Sequence, residues 1–221
     1  MTGVRAADLV KHGMTMGIGS GSTVYYLIEE LGLRVGQGLD ITAVPTSLQT
    51  AELAHNAGIP ISDLDKIDKL SLTIDGADEI DPKGQLIKGG GGALLQEKIV
   101  AAASETLVII ADSSKLVQHL GKFPLPVEVI PFGYKQVEQK IVEAGFCQEV
   151  SLRKRNNNVF MTDHGHYILD CDCKNIADAA ALNFDLHLIP GVVETGLFIN
   201  MANKAIIGYE DGRIELIDFN S

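Results

Sequence analysis

The stretch MTMGIGSGSTVYYLIEELG, residues 14–32, runs from an apolar segment into a helix-like one through a turn with almost no side chain. MTMGIG reads as a buried strand, and Tyr25, Ile28 and Leu31 recur at helical spacing after the turn. A strand-to-helix turn made of Gly19, Ser20, Gly21, Ser22 and Thr23 leaves its backbone open to direct contact. A helix start offers unpaired N–H groups and partial positive charge, so an anion suits it. Two familiar phosphate loops are excluded. Ser22 stands where a dinucleotide fingerprint has its third glycine, and no Gly-Lys-Ser/Thr closes a Walker A loop. Ser and Thr are also favoured at helix starts that bind nothing, and the turn taken alone leaves both readings open.

Working outward, ITAVPTS (41–47), SLTIDGAD (71–78) and TLVIIADSS (106–114) read as strands. LQTAELAHNAG (48–58) and GALLQEKIVAAAS (92–104) read as the helices between them. Short Val/Ile-rich runs separated by helices predict an α/β fold, a mostly parallel Rossmann-like sheet flanked by helices. The pattern changes near Pro124. PLPVEVIP, GYKQVEQKIVEAG, QEVSLRK, HYILDCD, IADAAALNFDLHL and GVVETGLF follow in the order β-α-β-β-α-β, a small ferredoxin-like α+β domain. The tail KAIIGYEDGRIELID predicts a hairpin around Asp211-Gly212 that returns to the first sheet. The expected domains are therefore 1–125 with 201–221, and 126–200.

With 221 residues the chain can bury one ample core or two modest ones. No apolar run approaches the ~20 residues of a membrane helix, and MTGVRAADLVKHG lacks the apolar stretch of a signal peptide. A net charge of −11 argues against nucleic acid as the main partner, although a pocket of donors can still take a small anion. Cys147, Cys171 and Cys173 are too few and odd for a disulfide framework, which fits a reducing cytoplasm.

Four stretches could carry chemistry. The first is the opening turn. In LTIDGADEID (72–81), Asp75 and Asp78 follow a strand, at the edge where open α/β sheets keep ligands. Two carboxylates at this spacing can bind hydroxyls, pass protons or hold a metal, and an Asx turn accounts for them equally. In IKGGGGALLQEKIV (87–100), Lys88 precedes four glycines whose entropic cost implies a turn that approaches something closely. Glu97 lies one helical turn from Ala93, Leu94, Val100 and Ala101, where desolvation would lift its pKa towards that of a general base; a salt bridge would also explain it. Lys115 follows a further strand and suits a phosphate or an oxyanion. Ser22, Asp75, Lys88 and Lys115 all come after successive strands, and this accumulation favours a site.

Two stretches are set aside. His164, His166, Cys171 and Cys173 in DHGHYILDCDC suggest zinc, but TDHGH reads better as a turn and Cys-x-Cys as two thiols on one face of a packed strand. No metal is expected. RKRNNN (153–158) reads as a solvated loop, too short for a nucleic-acid patch.

GIGSGST, DGADEID, KGGGGALLQEK, ADSSK, GKFPLPVEVIP and PGVVETGLF, in that order, resemble the type A ribose-5-phosphate isomerase family from about Met14 to Asp211. The resemblance implies interconversion of D-ribose 5-phosphate and D-ribulose 5-phosphate in the pentose phosphate pathway. It implies no metal or nucleotide cofactor and a homodimer or homotetramer. Glu97 would accept the proton, with Asp75, Asp78 and Lys88 assisting. Ser20, Gly21, Ser22, Thr23, Asp75, Gly76, Ala77, Asp78, Lys88, Gly89, Gly90, Gly91 and Lys115 would contact substrate. Ser20 stands where Thr is common in the family, Gly92 where Ala is frequent, and the lead-in before Met14 is short. An acyl-coenzyme A transferase using Glu97 as nucleophile and a non-catalytic sugar-phosphate sensor are the alternatives.

Overall fold

The computed structural model describes residues 2–219. In chain order the first elements are α1 (Thr2–Ala7), β1 (Met14–Ile18), α2 (Ser22–Gly36), β2 (Ile41–Pro45), α3 (Leu48–Asn56) and β3 (Leu72–Asp75). Then come β4 (Glu79–Ile80), β5 (Leu86–Ile87), α4 (Leu94–Ala102), β6 (Leu107–Asp112), β7 (Leu125–Val129), α5 (Tyr134–Glu143) and β8 (Glu149–Leu152). The rest are β9 (Lys154–Arg155), β10 (Asn158–Val159), β11 (Tyr167–Asp172), α6 (Ala179–His187), β12 (Val192–Thr195), β13 (Leu197–Phe198), β14 (Lys204–Gly208) and β15 (Ile214–Asp218). The chain divides into two compact units. One comprises residues 1–77, 96–115 and 200–221, the other 78–95 and 116–199.

The first unit holds a six-stranded sheet in the order β15-β14-β6-β3-β1-β2. Its pairs are parallel except β14–β15, the tail hairpin, which joins the sheet through β14 on β6. Both faces are covered, so strands such as LVIIAD are apolar almost throughout. Helix α2 buries Val24, Leu27, Ile28 and Leu31, an i, i+3, i+4, i+7 stripe. Tyr25, at helical spacing from Ile28, lies beside that stripe and is 42% exposed. Strand order reverses between β1 and β3. The chain leaves β1 for β2 on one side and later leaves β3 for β6 on the other. Such a switch point opens a crevice beyond the carboxyl ends of its two strands.

The second unit is built on the sheet β12-β7-β11-β8, all antiparallel, with α5 and α6 supplying the expected β-α-β-β-α-β order. Leu125, Val127, Val129, Leu169 and Cys171 pack against Val137, Ile141, Ala179 and Leu186 of the helices. GVVETGLF breaks into two strands. The Gly196 amide turns back to the Pro126 carbonyl at 2.7 Å, and β13 leaves to pair with β5 in the small sheet β13-β5-β4. This pairing is why residues 78–95 and 116–125, expected in the first domain, group with the second. The Glu79 carboxylate reinforces it by accepting the amides of Gly121 (2.7 Å) and Phe123 (2.6 Å).

RKRNNN also departs from its reading as a loop. It forms the β9–β10 hairpin, turned by Asn156 and Asn157 at φ 53° and 63°. Two consecutive left-handed residues make the two-residue turn that matches strand twist.

Candidate active site

In the first unit the turn after β1 meets the turn after β3. Asp75 ends β3, fully buried, and its Oδ1 accepts the amides of Ser20 (3.0 Å) and Gly76 (2.7 Å). Close approach demands glycine at 19, since a Cβ there would lie 2.0 Å from Asp75 Oδ1. Helix α2 is capped by Gly21 at φ 104°, with no side-chain cap. The N-cap position is thus held by glycine and not by a Ser or Thr of the turn. The Ser20 hydroxyl turns the other way. It meets the hydroxyls of Thr46 (2.8 Å), Ser47 (2.9 Å) and Thr50 (3.0 Å), while Thr50 Oγ1 donates to the Gly19 carbonyl at 2.9 Å. Thr46, Ser47 and Thr50 carried no local signal, because they lie 26 to 30 residues from Ser20. Ser22 is exposed and Thr23 half-buried at the start of α2. Gly76 and Ala77 are half-buried beyond Asp75.

Glu97 lies on the first turn of α4 and is 4% exposed. Its neighbours fix where that turn stands. Gln96 Nε2 donates to the Pro45 carbonyl at the carboxyl end of β2 (3.0 Å), and Val100 lies against Gly17 of β1. The start of α4 therefore faces the carboxyl edge of the parallel sheet, the edge that also carries the Ser20 and Asp75 turns. Lys115 closes the short 3-10 turn Ser113–Lys115 after β6. Beside it, the Ser114 hydroxyl, the Ser114 amide and the Lys115 ammonium hold the Asp112 carboxyl below its ordinary value against a smaller opposing effect of burial.

The second unit holds Asp78, Lys88 and the glycine turn. Asp78 Oδ2 accepts the Gly90 amide at 2.7 Å. Lys88 is 2% exposed, its amide bonded to the Gly196 carbonyl (2.9 Å) and its ammonium 5.3 Å from the Phe198 ring centre. Gly89 and Gly92 have φ of 97° and 95°, and the Gly92 amide closes the turn on the Gly89 carbonyl at 3.0 Å. Arg153, read in the sequence as solvated, reaches this turn as well. The alternation of β8 was the missed signal: Asp170 stands opposite Ser151 across the β8–β11 ladder, and Arg153, two residues on, shares that face.

The histidines and cysteines set aside in the sequence lie apart in role. His166 Nδ1 meets the buried Glu128 carboxylate at 3.0 Å, His164 is exposed, and Cys171 packs in the second core with Cys173 against it.

A parallel sheet whose strand order reverses at β1 and β3 places the chain among Rossmann-like α/β proteins, which keep their ligand sites on the turns after those strands. The family model described as "Ribose 5-phosphate isomerase A (phosphoriboisomerase A)" matches residues 42–212. The ribose-5-phosphate isomerase A of Bacillus cereus is 59% identical over 217 residues, covering 98% of each chain. The solved ribose 5-phosphate isomerase A of Methanocaldococcus jannaschii has a TM-score of 0.92 and 39% identity, covering 98% of this chain and 96% of its own. A D-ribose-5-phosphate isomerase solved in complex with phospho-erythronic acid has a TM-score of 0.93 and 37% identity, with coverage of 98% and 96%. The chain belongs to the ribose 5-phosphate isomerase A family.

Proposed function

We propose that this chain interconverts D-ribose 5-phosphate and D-ribulose 5-phosphate through an enediolate, with Glu97 as the general base. The reading rests on the buried Glu97 carboxyl on the first turn of α4, in a chain aligned along nearly its whole length with isomerases of that name.

The open-chain aldose loses its C2 proton to Glu97, leaving a double bond between C1 and C2 and negative charge on oxygen. Return of the proton to C1, with transfer of the O2 hydroxyl proton to O1, gives the ketose. Nothing is oxidised or reduced overall, so one carboxylate that gives back what it takes is sufficient. Lys88 and the Gly89–Gly91 turn supply positive charge and N–H donors to the enediolate oxygens. Asp75 and Asp78 open the sugar ring and pass the hydroxyl proton. The Ser20–Thr23 turn and Lys115 hold the phosphate, so that binding at a remote group orients the reacting carbons.

The same reading carries a homodimer or homotetramer in the cytoplasm, working without metal or nucleotide. Its three cysteines as free thiols suit that compartment, and among the described residues no helix is long and apolar enough to cross a membrane. Acyl transfer through Glu97 and a non-catalytic sensor are not favoured, since the relatives align end to end and carry the isomerase name.

The test is to incubate the protein with D-ribose 5-phosphate in deuterium oxide and follow the products by proton NMR. Ketose with deuterium entering at C1 is the expected result. Unchanged aldose would end the reading.

A further inference from the structure

Arg153 holds the glycine turn from behind. Its Nε donates to Asp170 Oδ2 at 2.9 Å and its Nη2 to Asp170 Oδ1, a bidentate pair with the side chains 13% and 21% exposed. Its Nη1 donates to the carbonyls of Gly89 (2.7 Å) and Gly90 (3.2 Å). Four of the five guanidinium N–H groups are thus committed, two to the anchor and two to the turn.

In a trans peptide the carbonyl and the following N–H point in opposite directions, and no peptide among the described residues is cis. Fixing the Gly89 carbonyl on Arg153 therefore aims the Gly90 N–H away from it, where it meets Asp78 Oδ2 at 2.7 Å. Fixing the Gly90 carbonyl aims the Gly91 N–H the same way. A cation on the carbonyl side also polarises both peptides and strengthens their N–H groups as donors. Arg155 continues the series with a longer contact, 3.5 Å, to the Gly91 carbonyl, and its guanidinium stacks on Phe160.

We infer that Arg153, anchored by Asp170, is a positioning residue for the isomerisation: it orients the Gly90 amide on Asp78 and presents the Gly91 amide as a donor to the enediolate. The inference rests on the isomerase reading above, which gave the turn that role. Lysine cannot replace arginine here. An ammonium can pair with Asp170, but it lacks the planar fork that serves a carboxylate and two carbonyls together.

The experiment compares Arg153→Lys, Arg153→Met and Asp170→Asn with the full-length wild type, measuring melting temperature, KM and kcat for ribose 5-phosphate. Arg153→Lys keeps the ion pair, so its melting temperature should stay near that of the wild type. Its kcat should fall by about 10²-fold, the scale of a lost oxyanion donor. KM should change less than about threefold, because the phosphate is held elsewhere. A structural cation would be restored by lysine, so kcat of Arg153→Lys within about threefold of wild type overturns the inference. Arg153→Met should lose at least as much kcat as Arg153→Lys. If both Arg153 variants fail to fold, Asp170→Asn decides: a fall of about 5-fold or more in kcat at steady KM supports the inference, and a smaller one overturns it. Glu97→Gln is run beside them. Normal turnover there refutes the isomerase site reading itself, whereas a dead Glu97→Gln beside an active Arg153→Lys refutes the positioning role alone.

Discussion

The Ser20 amide donates to Asp75 Oδ1 over 3.0 Å, tying the turn after β1 to the end of β3 across the point where strand order reverses. The bond needs the two backbones close together, and Gly19 provides that closeness.

Gly19→Ala should therefore break the link. The added Cβ would sit 2.0 Å from Asp75 Oδ1 and 2.5 Å from Asp75 Cα, and a backbone atom cannot swing aside as a flexible side chain does. Overpacking of this kind costs about 1–3 kcal/mol, so the melting temperature should drop by several degrees and turnover should fall as Asp75 is displaced. A variant that melts and turns over like the wild type would show that the turn has room for the added methyl.

Glu97→Gln preserves shape and removes the base. Positioned general bases contribute about 10²–10⁴-fold, so kcat should fall on that scale. Affinity for ribose 5-phosphate, measured calorimetrically, should stay close to that of the wild type, since the amide occupies the same space. Retention of most of the kcat would reassign the proton transfer to another group.

Much of this architecture was readable locally. Apolar runs such as LVIIAD and helical stripes such as Val24, Leu27, Ile28 and Leu31 declare themselves within one element. The Asp-Gly turn likewise marks the β14–β15 hairpin that extends the first sheet. What escaped was non-local or very short. Strands β4, β5 and β13 have two residues each, too few for alternation to register, yet their pairing draws residues 78–95 into the second unit. At the site, the carboxylate ending β3 and the bare turn after β1 were legible as positions. The partners that orient them were not. Alternation along β8 puts Arg153 on the face of Asp170 only once the β8–β11 register is known, and nothing local encodes its reach to the glycine carbonyls 63 to 64 residues away.

Ser22→Ala combined with Thr23→Ala tests the phosphate reading of the glycine-capped α2 start. Neither side chain caps the helix, so stability should hardly change. Loss of two hydroxyls from a phosphate shell should raise KM by about 10-fold or more, at about 1–1.5 kcal/mol for each bond, with kcat less affected. An unaltered KM would place the phosphate elsewhere.

Stability should fall at high pH through Cys173. Burial first, then the neighbouring Cys147 and Asp172, pushes its thiol from an ordinary 9.0 up to about 12. The folded protein thus holds the proton more tightly than the unfolded chain. The associated stability is complete below pH 9 and is lost as the unfolded thiol ionises, across the window from 9.0 to about 12. The melting temperature should decline over that range, and Cys173→Ala should decline less steeply. Parallel slopes for the two proteins would exclude this thiol as a source of the decline.

Gly92 is fixed by two separate constraints, and they can be separated by mutation. Its φ of 95° is a conformation that residues with a Cβ rarely adopt, and a Cβ there would lie 2.3 Å from Cζ of Phe160. Phe160 in turn, the residue after β10, lies under the Arg155 guanidinium, which is 4.7 Å from its ring centre. Gly92→Ala should therefore lower both melting temperature and turnover, since the turn that closes on the Gly89 carbonyl must either strain or push the ring away. Adding Phe160→Ala removes the clash and leaves the backbone strain. The double variant should regain part of the turnover lost by Gly92→Ala without reaching the level of Phe160→Ala alone. Full recovery would mean that the ring was the sole obstacle and that φ at position 92 adapts; no recovery would assign the whole cost to the backbone.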